Sequence, residues 1–292
     1  MSDLTNDAIL PKKIIEKEII NICKRYKISE DQVVHQLNTS IKNYPKLIQK
    51  IHHSKNDDIT RFKEYKSFIK AVKKQIYYQL RRYHQDIQRE TDLNKRLLAA
   101  NSSDERNEII SHLMATHIST RERMPHYPEF YNKLSDIVPS PQSIIDIGCG
   151  FHPLSYPYFD SQLKTYLAID KDPAVIETLR IFSQHVLPVS LIAICTDIND
   201  ICWTNYIEAG SSFDFAFMLK LLPVVYRHDK TVLAKLSETP ANKILVTGNT
   251  ESMTRKENIQ KKEERIIRRF LEMTGRNITS CFQIANEFGF VI

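Results

Sequence analysis

An apolar run that ends in a glycine turn is the segment of this sequence with the clearest capacity for chemistry. Residues 144–153 read Ile-Ile-Asp-Ile-Gly-Cys-Gly-Phe-His-Pro, with Asp146 inside the apolar run and Gly148 and Gly150 after it. Glycine allows the chain to turn sharply and lets a ligand approach the peptide backbone closely. The pattern therefore predicts a strand that leads into a nucleotide-binding turn.

Two further acids follow the next two predicted strands. Asp170 comes twenty residues after Gly150, a position from which a carboxylate can accept hydrogen bonds from ribose hydroxyls. Asp197 follows the third strand, where a carboxylate can accept a hydrogen bond from an adenine amino group while Ile198 packs on the ring. Together with the turn, these acids predict a site for an adenosine group.

Two cofactor classes use this arrangement of turn and acids. A dinucleotide needs the third glycine of GxGxxG, and Pro153 occupies that position here. S-adenosylmethionine (SAM) carries no phosphate, so it needs neither that glycine nor a site free of acids. SAM is therefore the favoured cofactor over NAD or FAD; acids that only cap helices at an inactive site are the remaining alternative.

The elements that position these residues alternate between β-rich and helical stretches from Gln142 onward. This rhythm predicts an α/β fold with a parallel sheet covered on both faces. Only a short turn separates the last two runs, so we expect an antiparallel hairpin, which is typical of the class I SAM-dependent methyltransferase variant of the Rossmann-like fold. The predicted strands are 143–147, 165–169, 189–194, 213–219, 243–246, 278–284 and 288–291, and two of the predicted helices are 173–184 and 256–273.

The N-terminal part of the chain has a different composition. All six glycines lie at or after Gly148, and residues 1–120 contain only Pro11 and Pro45. Because these two residue types punctuate strands and turns, their scarcity predicts an all-helical domain. Ser29 and Gln32 have the spacing of a capping box, and residues 60–90 carry the apolar stripe of one long amphipathic helix. We place a helical domain at 1–112 and the Rossmann-like domain at 113–292.

Positive charge is concentrated in one segment of this helical part. The 292 residues have a formal net charge of +6, and residues 61–96 hold eleven Lys or Arg against four Asp or Glu. Such an excess indicates a polyanionic partner, although a solvated helix face is the alternative. The candidate RNA contacts here are Lys63, Lys66, Lys70, Lys73, Lys74, Arg81 and Arg82.

Composition also excludes several classes of protein. No stretch approaches about 18 uncharged apolar residues, so no membrane span is predicted. The N-terminus lacks the apolar region of a secretory signal, and a cytoplasmic protein is expected. Five cysteines without a CxxC pair argue against a disulfide framework and against a metal site.

Three motifs give the sequence a family resemblance. His117–Arg123 reads His-Ile-Ser-Thr-Arg-Glu-Arg and matches H-x-S-T-x-E-R, residues 144–154 contain GCGFxPL, and residues 213–223 read FDFAFMLKLLP. With Asn286-Glu287 before the last strand, they cover roughly residues 112–292. The sequence resembles the Arm/Rmt-type aminoglycoside-resistance 16S rRNA methyltransferases.

This resemblance implies transfer of a methyl group from SAM to guanine N7 in the decoding site of 16S rRNA, within the 30S subunit. It implies that Arg123 holds the SAM carboxylate, that Asp170 and Asp197 hold ribose and adenine, and that Lys220 lies where the target base enters. It also implies that the helical domain docks on rRNA. The full set assigned to the cofactor is His117, Ser119, Thr120, Arg123, Asp146, Gly148, Gly150, Asp170, Asp197, Ile198 and Leu219.

The residues themselves favour a ring nitrogen as the methyl acceptor. Guanine N7 has a free lone pair and needs no general base, whereas C5 methylation of cytosine needs a nucleophilic cysteine that residues 217–223 lack. Lys220 is the candidate for positioning the target base, and a surface lysine with a buried stem is its alternative. We expect a monomer without a bound metal.

One loop departs from the family pattern. Residues 249–260 keep Ser252 and have Met253 in place of a leucine, but the family's glycines are missing. The resemblance assigns this loop to target recognition, so Ser252, Met253, Arg255 and Lys256 are further candidate RNA contacts. A ring-nitrogen methyltransferase for another structured RNA, and a non-catalytic ribosome-binding factor, remain as alternatives.

Overall fold

The structure is a computed structural model that describes residues 12–26, 28–53, 59–80, 87–159, 162–185, 189–208, 210–252 and 257–292. The chain divides into two compact units, a helical unit (residues 1–82 with 252–257) and a sheet unit (83–251 with 258–292). Twelve α-helices and seven strands lie in the described residues.

The described part of the helical unit holds four helices around an apolar core. They are α1 (Lys12–Tyr26), α2 (Glu30–Ile41), α3 (Pro45–His53) and α4 (Lys63–Leu80). Helix α2 begins with the predicted capping box, in which the backbone N–H of Gln32 donates to Ser29 Oγ and that of Ser29 donates to Gln32 Oε1. On α4, Phe68 and Val72 are fully buried, as the apolar stripe predicted. Helix α4 begins at Lys63 after a 3₁₀ turn at Ile59–Arg61, and residues 81–86 lie outside the described part.

The sheet unit is built on a seven-stranded sheet. Its strands are β1 (Ser143–Ile147), β2 (Thr165–Asp170), β3 (Ser190–Cys195), β4 (Phe213–Met218), β5 (Ala241–Asn249), β6 (Ser280–Ile284) and β7 (Glu287–Val291). Their order is β3-β2-β1-β4-β5-β7-β6. Strand β7 runs antiparallel to both of its neighbours, β5 and β6, and the other pairs are parallel. This confirms the predicted parallel sheet with a terminal hairpin.

Helices cover both faces of this sheet because its side chains alternate between two apolar cores. Ile144 and Phe217 face one core and Ile145 and Met218 face the other, and all four are fully buried. Helices that supply the first core are α5 (Ile87–Ala99), α6 (Ser103–Thr116), α8 (Tyr127–Ile137) and α9 (Pro173–Ser183); the second core includes α10 (Leu222–Val225), α11 (Val232–Ser237) and α12 (Gln260–Thr274). The short helix α7 (Ile118–Arg123) links α6 to the segment before α8.

Helix α5 and most of α6 lie in the predicted N-terminal domain but belong to the sheet unit. Leu97 of α5 and Ile109 of α6 are fully buried in the same core as Phe217 of β4. The compact units therefore divide between residues 82 and 83. The boundary at 112/113, as a division between RNA docking and cofactor binding, stays a prediction. Helix α12 begins at Gln260, four residues after its predicted start.

Truncating Leu97 tests the assignment of α5. Leu97→Ala leaves a cavity in the core beside β4. We therefore expect it to lower the free energy at which the backbone amides of the sheet open for hydrogen exchange by about 2–5 kcal/mol. The opening free energy of the α2 and α4 amides should not change. Native-state hydrogen exchange resolves the two units. The matched control is Leu47→Ala, a fully buried leucine of α3, which should act on the helical unit alone. Loss of protection in α2 and α4 after Leu97→Ala would contradict the assignment.

Candidate active site

The glycine turn after β1 is closed by side chains on two sides. Gly148 and Gly150 have left-handed φ angles of 65° and 51°. A Cβ atom added at Gly148 would lie 2.5 Å from Leu221 Cδ1, and one at Gly150 would lie 2.7 Å from His117 Cε1. A side chain at either position would be strained by the backbone conformation, and it would require Leu221 or His117 to shift.

Asp170, at the end of β2, is bonded to this turn. One carboxylate oxygen accepts the backbone N–H of Gly150 at 2.9 Å, and the other accepts that of Asp172 at 3.0 Å. Burial raises the pKa of Asp170, while these two backbone hydrogen bonds oppose the shift. A carboxylate has about four acceptor positions, so each oxygen keeps one for a ligand hydroxyl.

Asp197 lies in the more open part of the same sheet edge. It follows β3, its side chain is exposed, and it caps the 3₁₀ turn Ile198–Asp200 by accepting the N–H of Asn199 at 3.0 Å. Ile198 beside it is half-buried against the core that contains Ile147. A carboxylate and an apolar side chain are thus adjacent at the end of β3.

Helix α7 lies across this edge of the sheet. At its start, the ring of buried His117 packs against Gly150, and its Nδ1 lies 3.1 Å from Ser119 Oγ. Thr120 is buried, and its hydroxyl has no hydrogen-bond partner within the described part of the chain. At its end, Arg123 reaches β7. The helix therefore presents an unsatisfied hydroxyl and a guanidinium between β1 and β7.

Arg123 is paired with Glu287, a residue that the site prediction did not include. Both side chains are buried, and Arg123 Nε and Nη2 donate to the two Glu287 oxygens at 3.0 and 3.1 Å. Burial alone would raise the pKa of Glu287, but Arg123 and then Lys220 lower it to about 2. Glu287 also accepts a short hydrogen bond from the Thr247 hydroxyl. The only sequence signal for Glu287 was its place in the Asn286-Glu287 match.

Lys220 follows β4 in a backbone conformation that is rare for a residue with a side chain. Its φ is 57°, and its N–H donates to Thr247 Oγ1 at 2.9 Å. Its ammonium lies 2.9 Å from Glu122 Oε2 and 3.7 Å from Glu287 Oε2. Non-glycine residues in this region of φ cluster at functional sites, where the surrounding contacts hold the strain. Leu219 before it is half-buried against the core that contains Phe217.

Asp146 lies beneath the turn in a buried hydrogen-bonded network. Its Oδ2 accepts from His152 Nδ1 at 2.8 Å and from the Tyr166 hydroxyl at 2.9 Å. Burial lowers the pKa of His152, and Asp146 opposes part of that shift. Asp146 Oδ1 is buried without a hydrogen-bond partner among the residues described. Its assignment to the cofactor therefore rests on this second oxygen and stays a prediction.

The candidate RNA contacts on α4 differ in what their ammonium groups do. Lys63, Lys66, Lys70 and Lys74 are exposed, at a spacing of three to four residues along one face of the helix. Lys73 is half-buried and pairs with Glu18 at 3.0 Å, so its charge is compensated inside the helical unit.

Of the candidate RNA contacts in the loop, Ser252 is described, and its hydroxyl accepts the N–H of Glu257 at 3.3 Å. The other candidates, Arg81, Arg82, Met253, Arg255 and Lys256, lie outside the described residues.

Comparison with known families identifies the protein family that has this site. Residues 93–277 match the model of the ribosomal RNA methyltransferase (FmrO) family. The chain belongs to the FmrO family. The matched range begins in α5 and contains every candidate of the sheet unit from His117 to Lys220, whereas Glu287 lies beyond it. None of the candidates on α4 lies in it.

Individual relatives of this FmrO family member carry more specific names. A protein named 16S rRNA (guanine(1405)-N(7))-methyltransferase from Micromonospora echinospora is 42% identical over 64 residues, which are 22% of this chain and 23% of the relative. One of the same name from Frankia casuarinae is 39% identical over 119 residues, 40% of each chain. The chain thus matches less than half of the length of these curated relatives.

Solved structures show the same fold. The 16S rRNA methyltransferase RmtF, in complex with S-adenosyl-L-homocysteine, has a TM-score of 0.57 at 15% identity, over 96% of this chain and 98% of that one. The 16S rRNA methylase ArmA has a TM-score of 0.54 at 23% identity, over 69% and 96%. At these identities the likeness concerns architecture alone.

The described residues contain neither a membrane-spanning helix nor a cluster of metal-ligating side chains. No helix among them is long and apolar enough to cross a membrane. No group of three or more His, Cys, Asp or Glu side chains is placed to hold a metal ion within the part of the chain that the structure describes.

A substitution at Gly150 tests the closed turn. We expect Gly150→Ala to cost about 1–2 kcal/mol for its left-handed backbone and about 1–3 kcal/mol more for the overlap with His117. Gly275→Ala is the matched control, because Gly275 has a φ of 63° with no atom within 4 Å of an added Cβ. Chemical denaturation gives both free energies of unfolding.

The double variant His117→Ala/Gly150→Ala isolates the steric part of this cost. Removing the imidazole opens the space for the new methyl group, so the Gly150→Ala cost measured in the His117→Ala background should fall to that of Gly275→Ala. Equal costs of Gly150→Ala in both backgrounds would show that His117 does not close the turn.

Proposed function

We propose that this chain transfers the methyl group of SAM to guanine N7 of 16S rRNA, at the guanosine 1405 position that its relatives' names carry. The observation that carries the proposal is the arrangement of α7 across the sheet edge. The buried Thr120 hydroxyl, which has no hydrogen-bond partner among the described residues, and the Arg123 guanidinium flank a turn that has no room for a Cβ at its two glycines. The guanidinium can bind the carboxylate of a ligand, and the glycine turn can contact that ligand through its backbone.

The residues present fit SAM group by group. Asp170 keeps acceptor positions for the ribose hydroxyls, and Asp197 with Ile198 offers a carboxylate and an apolar surface for adenine. Arg123 uses Nε and Nη2 in its pair with Glu287 and also interacts with the Tyr127 hydroxyl, and its Nη1 group is proposed to donate to the SAM carboxylate. His117, Ser119, Thr120 and Leu219 are proposed to line the remaining space, and Gly148 and Gly150 to contribute their backbone, since Leu221 and His117 occupy the places where a Cβ would lie. SAM supplies an electrophilic methyl group on a sulfonium.

The chain's own part in the reaction is alignment and exclusion of water. Guanine N7 presents a lone pair in the plane of the base, so no residue has to remove a proton from it. Lys220 is proposed to hold the target nucleotide, because it lies at the end of β4, next to the residues proposed to bind SAM. To do so, its ammonium leaves Glu122, whose side chain is partly exposed, and contacts the incoming RNA instead.

We further propose that the substrate is 16S rRNA within the 30S subunit and that the protein is a cytoplasmic monomer. Methylation at the decoding site would confer aminoglycoside resistance. The exposed lysines of α4, with Arg81 and Arg82, supply the charge for docking. Ser252, Met253, Arg255 and Lys256 are proposed to contact the target. The absence of the family's glycines from their loop favours a second candidate, a ring nitrogen of another nucleotide.

Methyl transfer from labelled SAM to isolated 30S subunits tests this function. We expect label at one guanine of the decoding site, mapped by primer extension and mass spectrometry, and reduced aminoglycoside susceptibility in bacteria that express the chain. Label at another nucleotide would support the second candidate. If the chain binds SAM and no RNA is labelled, or if it binds no SAM at millimolar concentration, the enzymatic proposal is wrong.

The adenine contact is tested by Asp197→Ala. Loss of one hydrogen bond to the adenine amino group should weaken SAM binding by about 1–3 kcal/mol, measured by calorimetry. Asp200→Ala is the control, because Asp200 is exposed on the same 3₁₀ turn. If both variants bind SAM as the parent does, Asp197 does not hold adenine.

RNA docking by α4 is tested by Lys66→Glu/Lys70→Glu. The pair should weaken 30S binding and reduce the slope of log K against log salt by about two, because two phosphate contacts are lost, and should leave SAM affinity unchanged. The control is Lys95→Glu/Lys164→Glu, which makes the same charge change at exposed lysines of the sheet unit. Equal slopes in the two double variants would remove α4 from the docking surface.

A further inference from the structure

Glu287 is buried between the cofactor side and the target side of the proposed site. Only 4% of the residue is exposed. Its Oε2 accepts from Arg123 Nε at 3.0 Å and lies 3.7 Å from the Lys220 ammonium. Its Oε1 accepts from Arg123 Nη2 at 3.1 Å and from the Thr247 hydroxyl. The Glu287 carboxylate therefore contacts both Arg123 and Lys220, the two cations that have roles in the proposed function.

The contact with Arg123 fixes the direction in which the guanidinium points. A guanidinium is planar and rigid, and two parallel hydrogen bonds to one carboxylate determine both its position and the orientation of its plane. Here the fork uses Nε and Nη2, so Nη1 is left on the other side of the group. Without Glu287, the buried arginine would lose this constraint and the charge that compensates it.

The contact with Thr247 extends this constraint to the end of β4. The N–H of Lys220 donates to Thr247 Oγ1, whose own proton is donated to Glu287. This chain of hydrogen bonds joins the left-handed backbone of Lys220 to the guanidinium of Arg123 through two side chains of β5 and β7. The cofactor side and the target side are therefore held by the same carboxylate.

We propose that Glu287 is a positioning residue for methyl transfer, which holds the Arg123 guanidinium in place for the carboxylate of SAM and anchors Lys220 beside it. The proposal rests on the proposed function, in which Arg123 binds that carboxylate. Glu287 acts through Arg123 and Lys220 and touches neither SAM nor the target base.

The test is calorimetry of Glu287→Gln with three probes: SAM, S-adenosylhomocysteine and 5′-methylthioadenosine. The last two are both uncharged thioethers at sulfur, and only methylthioadenosine lacks the amino-acid carboxylate. We expect SAM and S-adenosylhomocysteine to bind at least about tenfold more weakly than to the parent, because the amide cannot hold the fork, and methylthioadenosine to bind unchanged. An equal loss for all three probes, or none, would overturn the proposal. A loss for SAM alone would assign to Glu287 an effect on the sulfonium charge and would also overturn it.

Glu263→Gln is the matched control. Glu263 is also buried and also pairs with an arginine, Arg227, at 2.8 Å, so its variant suffers the same kind of structural loss. It should leave the ratio of S-adenosylhomocysteine to methylthioadenosine affinity unchanged. If Glu287→Gln does not fold, Glu287→Asp keeps the charge and withdraws the carboxylate by one methylene, and the same selective loss is expected. Failure of the proposed function would instead appear in the parent, as no SAM binding or no methylated RNA.

Discussion

The buried ion pair between Arg123 and Glu287 is the interaction that organises this edge of the sheet. It joins two residues 164 positions apart in the chain. Burying either charge alone costs several kcal/mol, so each residue requires the other. The pair therefore fixes the end of α7 above β7, while the packing of His117 against Gly150 fixes its beginning. A helix of six residues is too short to be stable alone, and these two contacts give it a defined position.

Beneath the glycine turn, a second buried network serves as its floor. Asp146 accepts from both His152 and Tyr166, and the hydroxyls of Tyr131 and Ser155 continue the network on the other side of the imidazole. Burial lowers the pKa of His152, and its Nδ1 lies 2.8 Å from Asp146 Oδ2. Hydrogen bonds in a low-dielectric interior rigidify their surroundings. They account for one oxygen of the aspartate inside this apolar strand, while Oδ1 has no partner among the described residues.

The helical unit combines internal ion pairs with an exposed face that carries lysines. Lys73 and Lys50 are paired with Glu18 and Glu64, whereas Lys66 and Lys70 project from the exposed side of α4. A separate polar cluster connects α2 to α4, in which the side chains of Gln36, Ser40 and Gln75 lie within 2.9 Å of one another. The excess positive charge is thus divided between holding the bundle together and facing solvent.

The sequence alone determined the elements and the residues at the ends of the strands. Apolar runs, the amphipathic stripe of α4 and the Ser29 capping box are local signals, since a strand, a helix face or a cap is set by neighbours within a few residues. What only the tertiary structure decided is which distant groups meet: the partner of Arg123, the two carboxylates on Lys220, the hydroxyls around His152, and the packing of α5 and α6 with the sheet. Such contacts cannot be read from the periodicity of a sequence. A buried charge or an apolar side chain specifies the kind of partner that it needs, but not where in the chain that partner lies.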